Sequence, residues 1–415
     1  MKYKILKLSL ISLYFSSAYS IEFQSKYNAE LRFESRTFSN DKNSKTIDNE
    51  VSTYAHFEYK VKSNNLRGEL RSFLRVASSD NERSIIVLED LWLGKTFNNE
   101  EINFKIGIQT FNWSVNEVFN PSDVINSKNL ESDFENPEKK GELALLIEKR
   151  GDDSSIKLMY FPYFTKSIYP SGNSRLGQGF EIGDPIVIDD KSNIRTSSWI
   201  PQLGIKFDNT FNSIDFSFHY LNHIDRDIPI LSLSTSGLRP NYFRVEQFGF
   251  SYQQAIHSLI IKNESVYRNF KNISVNSFSS SKSDVSDHFV TAFGAEFTHV
   301  NSNSSETTYL FELQTILGVS EKIRRSLNLF DRDFFVGLKY NFNDFSNKEI
   351  LIGYIRDISK KNESLSTLSY SQRFSDSWKI KAGARLIISK PTVDKSGLEY
   401  FNKDHSIYFN ISKFL

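Results

Sequence analysis

Hydrophobic and polar residues alternate almost without interruption from Ile21 to Phe38. Phe23, Ser25, Tyr27, Ala29, Leu31 and Phe33 fall on one side, and Glu22, Gln24, Lys26, Asn28, Glu30, Arg32, Glu34 and Arg36 on the other. Successive side chains of a strand point to opposite faces, so this spacing predicts a strand with one apolar and one charged face. The rhythm returns along the chain. His56, Glu58 and Lys60 oppose Ala55, Phe57, Tyr59 and Val61, and Arg67, Glu69, Arg71 and Arg75 oppose Leu66, Leu70, Leu74 and Val76. Asn103, Lys105 and Gln109 oppose Ile102, Phe104, Ile106 and Ile108. Lys379, Lys381 and Arg385 oppose Trp378, Ile380, Ala382, Ala384, Leu386 and Ile388. Two stretches, Ile86 to Leu93 and Ile350 to Ile355, fit either register.

About 18 strands are predicted, an even number as in single-chain bacterial barrels. They fall near 21–37, 50–61, 65–77, 84–96, 101–113, 141–150, 154–164, 197–208, 211–221, 242–254, 257–268, 287–300, 305–317, 331–343, 347–357, 364–374, 377–389 and 404–415. Short polar links are expected at Lys62-Ser63-Asn64, Asn98-Asn99-Glu100, Gly151-Asp152-Asp153, Asp208-Asn209-Thr210, Asn301 to Ser304 and Ser375-Asp376. Long links are expected at 38–49, 114–140, 165–196, 222–241, 269–286, 318–330 and 390–403, with 78–83 and 358–363 intermediate. A closed sheet crossing a membrane, with its N-terminus on the short-turn side, gives this alternation; a soluble sandwich or propeller has no reason to. The expected fold is all-β: a transmembrane antiparallel up-and-down β-barrel, closed by pairing of its first and last strands. Closure leaves no backbone edge unpaired in lipid, with apolar residues outside and charged residues facing water inside.

Composition sharpens this picture. The chain has no cysteine, which excludes disulfides, thiolate metal sites and cysteine nucleophiles. Lys+Arg 51 against Asp+Glu 50 leaves no basic field for nucleic acid. Mean hydropathy is −0.41, as suits strands of which every second residue meets lipid. Lys2, Lys4 and Lys7, the apolar run Leu8 to Phe15 and the small residues of Ala18-Tyr19-Ser20 predict a signal peptide over 1–20, cleaved after Ser20. The apolar run is well short of the roughly 20 residues that a spanning helix needs. Residues 21–415 show no linker or composition break and are expected to form one barrel in the bacterial outer membrane.

At the other end Ile407, Phe409, Ile411 and Leu415 share a face. The segment resembles the terminal signal that the barrel-assembly machinery reads, which usually ends in an aromatic. Here Phe414 is penultimate, Leu415 is last, and Lys413 sits on the apolar face, from which it can snorkel. The partners implied are that machinery, outer-membrane lipid and lipopolysaccharide. A homo-oligomer stays open, since the lipid face shows no subunit patch.

The inner face carries Glu30, Arg32, Glu34, Arg36, Glu58, Lys60, Arg67, Glu69, Arg71 and Arg75 on three consecutive strands. One reading is a solvated, salt-bridged wall, with opposite cross-strand pairs worth about 0.2–1 kcal/mol each. The other is a basic rail of Arg67, Arg71 and Arg75 that guides anions. The candidate pore-lining residues are Arg32, Arg36, Lys60, Arg67, Arg71, Arg75, Lys105 and Gln109.

The third outer link counting 78–83, residues 114–140, carries Glu117, Asp123, Glu131, Asp133, Glu135 and Glu138 together with Val118, Phe119, Val124, Ile125, Leu130 and Phe134. A loop that stays in water needs no apolar anchors; one that folds back onto the barrel wall does. Leu-Trp-Leu-Gly at 91–94, Lys-Ile-Gly-Ile-Gln at 105–109, Asn-Trp at 112–113 and Asn-Pro-Ser-Asp at 120–123 resemble uncharacterised porin-like proteins of proteobacterial outer membranes. Those carry a Gly-x-Gln strand, then Trp-Gly, then Asn-Pro-x-Asp; here Ser114 replaces the glycine after the tryptophan. General porins fold their third loop inward, so the resemblance implies an eyelet built from Trp113, Glu117, Asn120, Asp123, Glu131, Asp133 and Glu135, facing the basic rail. A surface lid and a calcium loop are the alternatives, and the carboxylates do not match the Asp-x-Asp/Asn-x-Asp/Asn-Gly calcium spacing.

Catalytic constellations are faint. His56, His219, His223, His257, His288, His299 and His405 are scattered, and none has metal-site spacing. His219 is expected in the polar lining beside Asp215. Gly172-Asn-Ser-Arg-Leu-Gly177 is one residue off a nucleophile elbow and lies in a loop. Gly177-Gln-Gly179 opens no helix. Asp225-Arg-Asp227 with His223 is the faint candidate for a rim protease. The expectation is a non-enzymatic, water-filled channel for small polar or charged solutes, with no cofactor or metal. Two alternatives stand beside it. One is a barrel dedicated to export or uptake of an acidic oligo- or polysaccharide, which a basic lumen would favour. The other is an outer-membrane hydrolase with a rim active site.

Overall fold

A computed structural model describes residues 23–39, 46–78, 80–97, 101–177, 180–189, 191, 193–195, 197–227, 230–234, 237–270, 286–360, 362–391 and 397–415. The signal peptide expected over 1–20, the Asn98-Asn99-Glu100 link and Gln178-Gly179 lie outside these residues.

Eighteen antiparallel strands close into a ring. They are β1 (Gln24–Phe38), β2 (Asn49–Ser63), β3 (Leu66–Ala77), β4 (Ile85–Phe97), β5 (Ile102–Gln109), β6 (Glu142–Arg150), β7 (Ser154–Phe161), β8 (Gln202–Phe211) and β9 (Ile214–Ile224). The second half is β10 (Gly237–Ile256), β11 (Leu259–Asn269), β12 (His288–Val300), β13 (Glu306–Leu317), β14 (Arg332–Asn341), β15 (Glu349–Asp357), β16 (Ser364–Ser375), β17 (Trp378–Ile388) and β18 (Ser406–Phe414). Each strand pairs with its chain neighbours, and β1 closes on β18 from Glu30 opposite Phe414 to Phe38 opposite Ser406. Tyr27, at 66% exposure, and Leu31 stand on the outer face, while Arg32, Glu34 and Arg36 turn inward onto ion-pair partners. The two-residue period therefore sets the two surfaces of a transmembrane barrel. No described helix is long and apolar enough to cross a membrane.

Several details depart from the sequence reading, among them the start of β10 at Gly237 instead of 242. The fifth strand ends at Gln109 instead of 113, because Asp90 accepts hydrogen bonds from the Thr110 N–H (3.0 Å) and hydroxyl (2.8 Å) and turns the chain inward. Asp208-Asn209-Thr210 is strand, and the turn falls at Asn212-Ser213, with Asn212 at φ 54°. His257, expected to begin a strand, sits in a turn at φ 55°. The first short link lies at Asn64-Asn65, beyond the end of β2.

Both ambiguous stretches resolve. A bulge at Glu89 opposes Arg71 to Asp90 but Ser72 to Leu88. The extra residue swaps faces, so Ile86 (78% exposed) points outward before it and Leu91 and Leu93 after it. In β15 Gly353, Ile355 and Asp357 face inward and Ile352 outward.

The inner face is not polar throughout. Toward the long-loop end Ala292, Phe335, Ile355, Leu365 and Ile387 form an apolar cluster with Phe119 and Leu398 from the loops. A short helix, α1 (Glu321–Leu327), caps its own N-terminus with Ser320 and buries Leu327 against Val266, Val290 and Ile316. Loops thus pack inside the upper barrel and bury wall residues that would otherwise meet water.

Candidate functional site

The segment from Thr110 to Gly141 leaves the wall between β5 and β6 and crosses the lumen. Its first turn is fixed by the Asn126 side chain, whose oxygen accepts from Phe111 N (2.7 Å). Trp113 then packs in a cluster with Val124, Ile125, Ala144, Met159, Phe161 and Leu221, its ring 4.8 Å from that of His219. Gly249 makes this possible: a Cβ there would lie 1.9 Å from the His219 ring.

Two wall carboxylates hold the far end of the crossing. Glu264 on β11, with no exposed surface, accepts from the N–H groups of Val115 (2.6 Å), Asn116 (3.0 Å) and Ser122 (3.0 Å). Glu312 on β13 accepts from those of Glu117 (2.6 Å), Val118 (3.1 Å) and Phe119 (2.9 Å). An irregular loop has no ladder partner for its N–H groups, and these carboxylates supply charge-assisted ones. Phe119 then enters the apolar cluster of β12 and β14–β17.

The return leg is tied by ion pairs. Glu131 meets Arg83 at 3.2 Å, and Arg36 stands 3.9 Å away while donating to Ser132 O. Asp133 and Glu135 share Arg385 of β17 at 2.9 and 3.1 Å. Glu138 receives both terminal nitrogens of Arg75, at 3.0 and 2.6 Å. Lys128–Asn129 pairs with Glu138–Lys139 as a miniature hairpin, and Lys139 bonds Asp123. Burial pushes the Glu131 carboxyl up to about 6, with Glu50 adding to the rise and Arg83 opposing it. Burial also raises Asp133, but Arg385 outweighs it and holds that carboxyl below the ordinary value; Glu135 stays raised by burial.

The candidate lining residues divide. Arg32 sits between Glu30 (2.8 Å) and Glu34 (3.2 Å), with its guanidinium over Tyr54. Lys60 bonds Glu58, with Glu69 3.5 Å away, and Lys105 lies 3.8 Å from the centre of the Trp92 ring. Arg67 is on the inner face of β3, between Lys62 and Gly94 in the register. Arg71 pairs with Asp90 at 2.6 Å, and Arg75 with Glu34 and Glu138. Arg71 and Arg75 are therefore charge-compensated. Gln109 is corrected: it is buried and donates to Ala144 O, so it presents no lumenal surface. Arg36 and Arg75 likewise lie between wall and loop.

Among the eyelet candidates, Trp113 and Glu131 are buried anchors. Glu117, with a side chain 56% exposed and 3.3 Å from Lys262, stands at the open edge. Asn120 donates to Val118 O within the loop. Sequence reasoning missed Glu264, Glu312, Lys262, Arg83 and Arg385. Each is an ordinary inward or loop polar residue with no local signal, and only ring closure brings it to the loop.

The catalytic candidates are engaged elsewhere. His219 lies beside Gln247 and Trp113, away from Asp215, which accepts from Thr210. Asp227 bonds Arg268 and Lys128, and Arg226 bonds Glu142. His223 is buried. The Ser174 hydroxyl is buried and accepts from Leu176 N.

The ring, its polar inner wall and the crossing loop define a porin-like transmembrane β-barrel. Among solved structures the chain is similar to Pseudomonas aeruginosa OccK9 (OpdG), with a TM-score of 0.55 and 9% identity over 94% of this chain and 98% of that one. It is also similar to Pseudomonas aeruginosa OccD3 (OpdP), at 0.51 and 8% identity over 94% and 91%. A variant of the Rh. blastica porin matches at 0.44 and 10% identity over 94% and 100%. At these identities the likeness is one of fold. No protein-family model matches the chain, and no curated protein sequence does.

Proposed function

We propose that this protein is a porin-like channel of the bacterial outer membrane that passes small polar or charged solutes, with the third loop setting the aperture. One observation carries the reading: a closed ring with a charged inner wall is crossed by a loop whose backbone is held from the far side by Glu264 and Glu312. A crossing loop narrows a water-filled lumen without sealing the backbone ring. In this reading Arg32, Lys60, Lys105, Arg67 and Arg71 line the wall side of the passage and Glu117 its loop side. Compensation of Arg71 and Arg75 supports weak ion preference over a dedicated acidic-polysaccharide barrel. Single-channel recording of refolded protein tests the proposal. Stepwise conductance with a reversal potential near zero under a salt gradient supports it. A folded barrel with no conductance at any salt concentration, or one that hydrolyses lipid or peptide, would refute it.

A further inference from the structure

The described residues of the fourth outer loop, between β7 and β8, pack against the third. Its root is packed on one side: Phe164, Val187, Ile200, Ile224 and Tyr242 form one apolar cluster, and the Tyr169 and Tyr242 hydroxyls lie 2.6 Å apart. Ile168 exchanges backbone hydrogen bonds with Lys128 (3.0 Å) and Leu130 (2.9 Å), coupling this root to the third loop. The arm then runs away from β7 and β8 to the opposite rim. Ser171 donates to Asp80 at 2.7 Å, and Asn173 O accepts from Ile47 N at 2.9 Å. Arg175 donates to Asp48 and to Asp404, both at 2.7 Å. Asp404 lies between β17 and β18, and β17 is diametrically opposite β8 in the ring.

The attachments differ in kind. The root is apolar and extensive. At the far rim, the arm offers the Arg175 guanidinium, with its side chain 1% exposed. It joins two carboxylates from separate loops, one of them (Asp404) itself buried. Removing one member of such a buried group leaves a charge without its partner and so undoes the contact. An arm rooted on one side and held at the far rim by two neutral-donor hydrogen bonds and the Arg175 ion pairs is loosened about its root when those ion pairs are lost.

We propose that residues 169–177 are a lid over the channel mouth, latched shut by Arg175 across Asp48 and Asp404, and that release of this latch gates solute passage. The proposal rests on the channel reading. Bilayer recordings of the refolded full chain test it by comparing wild type with Arg175→Ala. The expected result is a rise of about tenfold in the open fraction at unchanged barrel content. The chain has no native thiol, so a short thiol crosslinker between Ile47→Cys and Asn173→Cys in the Arg175→Ala background closes the lid again and returns the open fraction to wild type. If Arg175→Ala does not fold, Asp48→Asn, which touches only the more exposed arm of the latch, is expected to move the open fraction in the same direction by less. A conducting wild type whose open fraction is unmoved by the folded latch variant, or a variant unmoved by the crosslink, overturns the latch alone. Silence from every folded form would remove the channel reading, and the lid with it.

Discussion

Removing the two carboxylates that hold the third loop is the sharpest perturbation of this barrel. Glu312→Ala leaves the N–H groups of Glu117, Val118 and Phe119 without their acceptor, and Glu264→Ala does the same to Val115, Asn116 and Ser122. An orphaned buried donor costs about 1–3 kcal/mol, so each change loosens the crossing by roughly 3–9 kcal/mol before water and relaxation recover part of it. The loss falls on the loop. The ladders joining β11 to its neighbours, and β13 to β12 and β14, do not use these side chains. Because the two carboxylates hold adjoining segments, their effects are expected to be less than additive. Glu312→Gln is also damaging, since it replaces one acceptor with an NH2 group facing donors. Planar-bilayer recording is the assay, with circular dichroism confirming the barrel. The double Ala variant is expected to show unit conductance roughly twofold or more above wild type, with increased noise. Wild-type amplitude, noise and selectivity in a folded double variant would show that the loop does not set the aperture.

Three further outcomes are expected. Arg385→Ala leaves Asp133 and Glu135 without their shared cation and takes a guanidinium from above Phe134, so the reversal potential should move toward cation preference; an unchanged potential would place these carboxylates away from the solute path. Glu131, near 4.5 when unfolded and about 6 in place, retains a proton on the docked loop that the free chain has lost. Loop docking is therefore strongest below pH 4.5, weakens as pH rises to about 6 and is flat above, by up to about 2 kcal/mol. Thermal melts of wild type against Glu131→Gln should show this slope and its loss, and equal slopes would sink the assignment. Gly249→Ala drives a methyl group into the His219 ring and displaces Trp113. A red-shifted tryptophan emission is expected, and an unaltered spectrum would mean that the ring accommodates the methyl elsewhere.

What the sequence determined by itself was the wall. Alternation is local, because neighbouring side chains diverge whatever the rest of the chain does, so the strands around Tyr27, Phe57 and Leu386 could be read with their outward faces. Link lengths are local as well, and they gave the two ends of the barrel. Inside, only the tertiary structure decided. The bulge at Glu89 swaps faces through one extra residue that no period announces. Glu264 and Glu312 meet the loop across 149 and 195 residues, and Arg175 reaches Asp404 across 229. Such partners carry no sequence signature, because an inward carboxylate on a strand looks the same whether it faces water or a loop. Closing the ring sets which of them faces the incoming backbone, and that registry is a property of the whole cylinder.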